Sequence, residues 1–189
     1  MQLGLEPGDK VAILSENRKE RVFAELGIDL FRAITTGVYL TSPASEVEYL
    51  LSLSDAPIII CEDQEQLDKV LSVRRRLPRL RLIIVIDPRG LRHYDRAGLH
   101  NFEDVIELGR QREAKEPHLL AENLARQQLD DIGLIVFTSG STGRPKAAMM
   151  SWRGDGSSLS ASPADLMNRS CLTTTTVCAY MELLAGAAS

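Results

Sequence analysis

Apolar residues in the first 150 positions fall into two alternating patterns. Four apolar runs, Val11-Ala12-Ile13-Leu14, Ile58-Ile59-Ile60-Cys61, Leu82-Ile83-Ile84-Val85-Ile86 and the stretch 132–137, have the length of strands, and the second and third have the continuous β-branched content of buried strands, the second as one covered on both faces. Between them the apolar spacing turns helical. Val22, Phe23, Leu26, Leu30 and Ile34 form one stripe, with Asn17 as its cap, Glu20 completing a capping box and Gly37 ending the helix. Val38-Tyr39-Leu40 extends away from it. A second helix opens with Ser42 as cap, Pro43 in its first turn and Glu46 and Glu48 near its positive end. Val47, Leu50, Leu51 and Leu53 supply its apolar side. A third helix is predicted over 64–77 and shorter ones over 102–108 and 119–128, with the charged stretch 110–117 as an exposed linker. Strands of about five residues alternating with helices of about twelve predict an α/β fold, a mostly parallel sheet with helices on both faces.

Composition narrows the class. With 189 residues, 44% hydrophobic and 25% charged, the chain suits one globular domain or slightly more, which excludes wholesale disorder and disulfide-framework folds. A net charge of -4 gives no basic field for nucleic acid. Cys61, Cys171 and Cys178 have no zinc-ligand spacing; Cys61 is expected in the core. The start does not read as a signal peptide, and no apolar run approaches the ~20 residues of a membrane span, so a cytoplasmic setting is expected. Charge falls abruptly near Gly154. Residues 1–153 carry 21 basic and 23 acidic side chains, whereas 154–189 carry four charges and ten Ser or Thr. The organisation expected is an informative part, 1–153, and a low-charge Ser/Thr/Ala-rich tail, 154–189, either disordered or from an altered reading frame.

Most other polar features have structural readings. Arg74-Arg75-Arg76, with Lys69, Arg79 and Arg81, reads as a solvated helix face, since no aromatic interleaving supports nucleic acid. His93, His100 and His118 are scattered, Asp130-Asp131 reads as turn acids, and Tyr39 and Phe137 as packed aromatics.

The sharpest feature follows the strand at 132–137: Thr138-Ser139-Gly140-Ser141-Thr142-Gly143-Arg144-Pro145-Lys146. Glycines permit close backbone approach to a ligand, and successive amides can form an anion-binding nest. Hydroxyls of Thr138, Ser139, Ser141 and Thr142 add donors, and Lys146 adds a mobile cation suited to phosphate. It is not a Walker A loop, because Pro145 precedes the lysine and Ala147 follows it, and it contains no Gly-x-Gly-x-x-Gly. Generic chemistry leaves two readings open, a phosphate or nucleotide site and a plain surface turn.

The run Phe137 to Lys146 resembles the phosphate-binding motif of the adenylate-forming (AMP-binding) superfamily. Gly8-Asp9-Lys10-Val11-Ala12-Ile13-Leu14-Ser15-Glu16-Asn17 is similar to the opening of its long-chain fatty acid–CoA ligases. Tyr39-Leu40-Thr41-Ser42-Pro43 and Asp130-Asp131-Ile132 are similar to two further segments, so that the resemblance covers about 4–153. It implies part of the large N-terminal domain of such an enzyme. It also implies a reaction in which a carboxylate and ATP give an acyl-adenylate and pyrophosphate, after which the thiol of coenzyme A takes the acyl group. ATP with Mg²⁺ is the implied nucleotide, and fatty acid and coenzyme A are the implied partners. By position, Thr138, Ser139, Ser141, Thr142 and Lys146 carry over as phosphate contacts, with Gly140 and Gly143 as shape residues; no metal ligand is assigned.

Departures accompany the match. Ala147 stands where the family usually has glycine. Trp152 stands where it commonly has a histidine on the acyl side of the site, and is larger with no basic nitrogen. The family's "YG-x-T-E" segment and the mobile C-terminal domain with its catalytic lysine have no counterpart here. The expectation is therefore a truncated copy, inactive alone. A noncatalytic nucleotide-binding module and a non-functional product of a disrupted gene are the alternatives, and a separately encoded remainder and a peripheral membrane contact stay open.

Overall fold

The computed structural model describes residues 3–138 and 143–153. Seven strands, β1 (Lys10–Leu14), β2 (Ile34–Gly37), β3 (Ile58–Cys61), β4 (Leu82–Val85), β5 (Leu99–Asn101), β6 (Ile132–Thr138) and β7 (Lys146–Ser151), form one sheet in the order β5-β4-β3-β1-β2-β6-β7. Every neighbouring pair is parallel except β6–β7. The helices are α1 (Lys19–Leu30), α2 (Ala44–Ser54), α3 (Gln64–Val73), α4 (Phe102–Lys115) and α5 (Leu119–Arg126).

The layering follows from strand order and right-handed crossovers. From β1 the chain steps outward to β2, which puts α1 on one face. It then returns past β1 to β3 and on to β4, which puts α2 and α3 on the other. Successive strand residues serve the two faces in turn. Val11, Ile13, Ile58, Ile60 and Ile84 pack with Ala24 and Ile28 of α1 and with Phe102, Val105 and Ile106 of α4. Ala12, Leu14, Ile59, Cys61 and Ile83 pack with Val47, Leu50 and Leu51 of α2 and with Leu67, Val70 and Val73 of α3. The expected fold class is therefore observed. Cys61 is fully buried in this core, and burial pushes its thiol up, so it behaves as an apolar side chain.

Several boundaries differ from the sequence expectation. Ile34 belongs to β2, not to a helical stripe, because α1 stops at Leu30 and Arg32 adopts a left-handed φ of 62° that turns the chain into the sheet. The proposed capping box is absent. The N-cap is Arg18, whose side chain bonds Glu20 at 2.7 Å instead of leaving Glu20 to cap an amide. Ser42 is not the cap of α2 either, since Pro43 holds that place without a side-chain bond. Asp63 does cap α3, accepting from the Gln66 amide at 3.1 Å. The stretch 110–117 is not simply a linker: α4 continues to Lys115, with Gly109 buried, Arg112 and Glu113 half-buried and Arg110 and Lys115 exposed.

The late strand β6 is fastened to the early fold by Asp131. Its carboxylate takes Arg32 Nε at 2.8 Å and Nη2 at 3.2 Å, and also the Gln128 amide at 3.0 Å. The Arg32 guanidinium holds this carboxyl below the usual range. Asp131→Asn is expected to lower stability by about 1 kcal/mol at neutral pH, the value of a half-exposed charged hydrogen-bonded pair. A depressed carboxyl stabilises the fold above its unfolded pKa and ceases to do so as pH falls through its folded value. Urea melts of the two proteins should therefore converge below about pH 4.

Candidate phosphate-binding site

In parallel sheets the carboxyl ends of the strands border the crevice where ligands bind. At this edge the ends of β1 and β3 are filled by Glu62, which accepts from Ser15 Oγ at 3.1 Å and the Glu16 amide at 2.7 Å and lies 3.5 Å from Arg18. The end of β6 is different. Thr138 is exposed there, its hydroxyl donating to the Lys146 carbonyl at 3.4 Å, and the Thr138–Lys146 pair closes the β6–β7 hairpin. Lys146 is exposed and has no ion-pair partner among the described residues. Gly143 has a φ of 147°, a conformation that favours glycine, and open space where a Cβ would sit. Of the residues of the expected phosphate site, the contacts Thr138 and Lys146 and the shape residue Gly143 are thus at one end of the hairpin. Ser139, Gly140, Ser141 and Thr142 lie outside the described residues, as does the tail 154–189 with Cys171 and Cys178. Ala147 sits in β7 opposite Phe137, and its φ is not positive, so the missing glycine needs no special geometry there.

Two residues beside the hairpin had no role in the sequence reading. Tyr49 of α2 donates its phenol to the Pro145 carbonyl at 3.1 Å, and the Arg144 guanidinium lies 5.1 Å from the centre of the Tyr49 ring. Nothing in the local sequence marks Tyr49, which is 96 positions from its partner.

A groove of about 740 Å³ opens beside the hairpin, between α1 and the strands β2, β6 and β7. Ile135 and Phe137 point into the α2–α3 core, so the alternating Leu134 and Val136 face the α1 side and join Val22, Leu26 and Met150 in an apolar lining. Trp152 closes one end. A register shift between Ile132 and Leu134 leaves Gly133 as a bulge, and the indole packs onto it. Asp29 lies at the α1 wall with one oxygen sealed from solvent. Burial pushes its carboxyl well above the usual range, the Glu25 charge adds to that, and the Thr35 hydroxyl opposes it. Thr35 is within electrostatic range but outside bonding geometry, for neither Asp29 Oδ1 nor Thr35 Oγ1 has a hydrogen-bond partner among the described residues. Tyr39, expected as a packed aromatic, is 62% exposed at the groove's rim because β2 ends before it at Gly37; Phe137 is buried as expected.

Asp130 and Asp131 are turn acids, tied to Arg153 and Arg32 respectively. Arg76 of the basic cluster is exposed and pairs with Glu48. The described residues contain no group of three or more His, Cys, Asp or Glu able to hold a metal ion, and no helix long and apolar enough to cross a membrane.

A mainly parallel α/β sheet with an exposed threonine and lysine facing each other at its carboxyl edge has the layout in which open α/β folds take ligands. Comparison with known proteins sharpens this. The family model described as AMP-binding enzyme matches residues 1–184, and the chain belongs to that family. It is 34% identical over 154 residues to the long-chain-fatty-acid–CoA ligase ACSBG1 of Rattus norvegicus, covering 80% of this chain and 20% of that protein. To the long-chain-fatty-acid–CoA ligase heimdall of Drosophila melanogaster it is 30% identical over 152 residues, covering 80% and 22%. The chain therefore spans about a fifth of the length of these curated relatives. Among solved structures, the anthranilate CoA ligase AuaEII in complex with anthranoyl-AMP matches with a TM-score of 0.63 and 28% identity over 79% of this chain and 26% of that one. Acetoacetyl-CoA synthetase from Streptomyces lividans shares the fold, with a TM-score of 0.60 at 23% identity over 79% and 22%.

Proposed function

We propose that this chain binds the phosphates of Mg-ATP at the β6–β7 hairpin and does not by itself complete an acyl-CoA ligase reaction. The observation that carries the proposal is the exposed Lys146, paired with Thr138 across the hairpin and without an ion-pair partner among the described residues, together with the open backbone at Gly143, in a chain of this family. In this reading Thr138, Ser139, Ser141, Thr142 and Lys146 donate to phosphate oxygens, and Gly140 and Gly143 let the backbone approach them. The chemistry fits, since transferring phosphoryl groups need charge neutralisation from amides, a lysine and Mg²⁺. ATP supplies the activating group in such a reaction, while Lys146 holds and orients its phosphates. The same reading takes fatty acid and coenzyme A as the further substrates of the longer relatives and a cytoplasmic setting for this chain. Adenylation and thioester formation need the carboxylate, nucleotide and thiol held together, and that positioning supplies much of the rate. The division of the chain at Gly154 rests on the fall in charge alone.

Thermal unfolding with and without Mg-ATP tests the proposal. Native-state binding at one hundred times Kd contributes about 2.7 kcal/mol and raises Tm by roughly 5–10 °C. Lys146→Ala is expected to weaken binding at least about tenfold by removing a charge-assisted contact, and the Thr142→Ala/Lys146→Ala double variant is expected to abolish the shift. An unchanged shift in the double variant would remove the site from this hairpin. A cooperative melt indifferent to Mg-ATP would reject nucleotide binding, and a non-cooperative melt would favour the product of a disrupted gene.

A further inference from the structure

We propose that Tyr49 is a positioning residue for the phosphate site, holding the hairpin from α2; this rests on the phosphate reading above. The helix is a firm base, because Val47, Leu50 and Leu51 are buried in the α2–α3 core and the half-buried Tyr49 ring packs against the same cluster. Its phenol donates to the Pro145 carbonyl at 3.1 Å. The peptide group is planar, so the carbonyl of residue 145 and the amide of residue 146 share one plane. Pro145 itself has a fixed φ and no N–H to anchor. Fixing its carbonyl therefore fixes the orientation of the Lys146 amide and the direction in which β7 begins, opposite Thr138. The second contact works alongside the first. With its guanidinium 5.1 Å from the Tyr49 ring centre, Arg144 is turned toward α2, and Lys146, also exposed, is the hairpin cation without such a contact among the described residues. Among the described residues, Tyr49 makes the sole side-chain hydrogen bond onto 143–145. Without it the lysine that the site depends on would ride on a freer turn.

Hydrogen exchange of the full chain, with and without Mg-ATP, tests this. Tyr49→Phe keeps the ring beneath Arg144 and removes one hydrogen bond. Exchange over 143–148 is expected to quicken about 3–10-fold while α2 stays within about twofold of wild type, and Mg-ATP is expected to bind about 3–10-fold more weakly, the scale of one such bond. Tyr49→Leu, which also removes the ring, should have the larger effect on both. Unchanged exchange over 143–148 in Tyr49→Phe overturns the proposal. So does equal quickening in α2, which would make Tyr49 a support of the helix only. If wild type shows no Mg-ATP protection at any concentration, the phosphate reading falls and Tyr49's role in it falls too. If wild type is protected but Tyr49→Phe binds equally well, the phosphate reading stands and the role of Tyr49 does not.

Discussion

Gly133→Val is expected to destabilise the chain by about 3 kcal/mol, lowering Tm by roughly 6–12 °C. The reason is local. A Cβ at this bulge would stand 2.6 Å from Trp152 Cε2 and 3.0 Å from Cη2, with Cζ2 closer still, and real contacts do not reach such distances. Valine favours strands in general, but that preference is worth less than the displacement of a packed indole. The backbone offers little relief. Trp152 follows directly on β7, its amide donates to the Asp131 carbonyl at 3.2 Å, and the next residue, Arg153, bonds the Leu129 carbonyl at 2.7 Å and the Asp130 carboxylate. Trp152 is the chain's sole tryptophan, so its fluorescence reports the event directly. Emission should shift to the red as the ring leaves the groove. The double variant Gly133→Val/Trp152→Ala should recover part of the loss, because the two residues touch and their effects are not additive. A Gly133→Val protein with wild-type Tm and emission would show that the indole does not lie on Gly133.

Asp29→Asn is expected to stabilise the chain at pH 8, because the amide carries no charge into the buried α1 wall. The sign comes from linkage. Because the folded-state carboxyl is raised above its unfolded value, by burial first and by the Glu25 charge second, the folded chain binds this proton more tightly than the unfolded chain does. Stability attributable to Asp29 therefore declines as pH rises from the ordinary carboxylate range through the raised value. Asparagine has no proton to lose and removes that decline. Urea melts across pH 4–8 should show the variant gaining on wild type as pH increases. The depressed carboxyls of Asp131, Glu20 and Asp87 pull the other way at acid pH, but they are present in both proteins and cancel in the difference. Parallel curves would mean that Asp29 is hydrated or paired in solution.

The sequence announces this fold unevenly. β1, β3 and β4 are legible because a strand covered on both faces must be apolar almost without interruption; β6 is legible because its apolar run continues past Gly133, although only alternate residues of it are buried. β2 is not, because Ile34 falls in helical phase with Leu30, and the left-handed residue that breaks the phase is an arginine, which carries no turn signal. β7, Lys-Ala-Ala-Met-Met-Ser, has no β-branched residue and becomes a strand only by pairing with β6. In the candidate site, the glycine-rich motif is local chemistry and can be read directly. The Tyr49 contact and the Asp29 wall are products of folding, joining residues that no spacing rule connects.

The strand order also has a consequence in time. Strands β1 to β5 pair only with one another, through short crossovers, apart from the outer side of β2. That side is completed by β6, whose Leu134 pairs with Thr35 about a hundred residues earlier. During synthesis from the N-terminus, the five-stranded block can form while the hairpin is still unmade, because non-local pairing must wait for its partner to emerge. The hairpin bearing Lys146 then arrives as a late addition to a finished platform, with the Arg32–Asp131 pair and the Tyr49 hydrogen bond as its fastenings. The segment proposed to meet the nucleotide is thus the last described part of the molecule to take shape, and the one whose placement depends most on everything made before it.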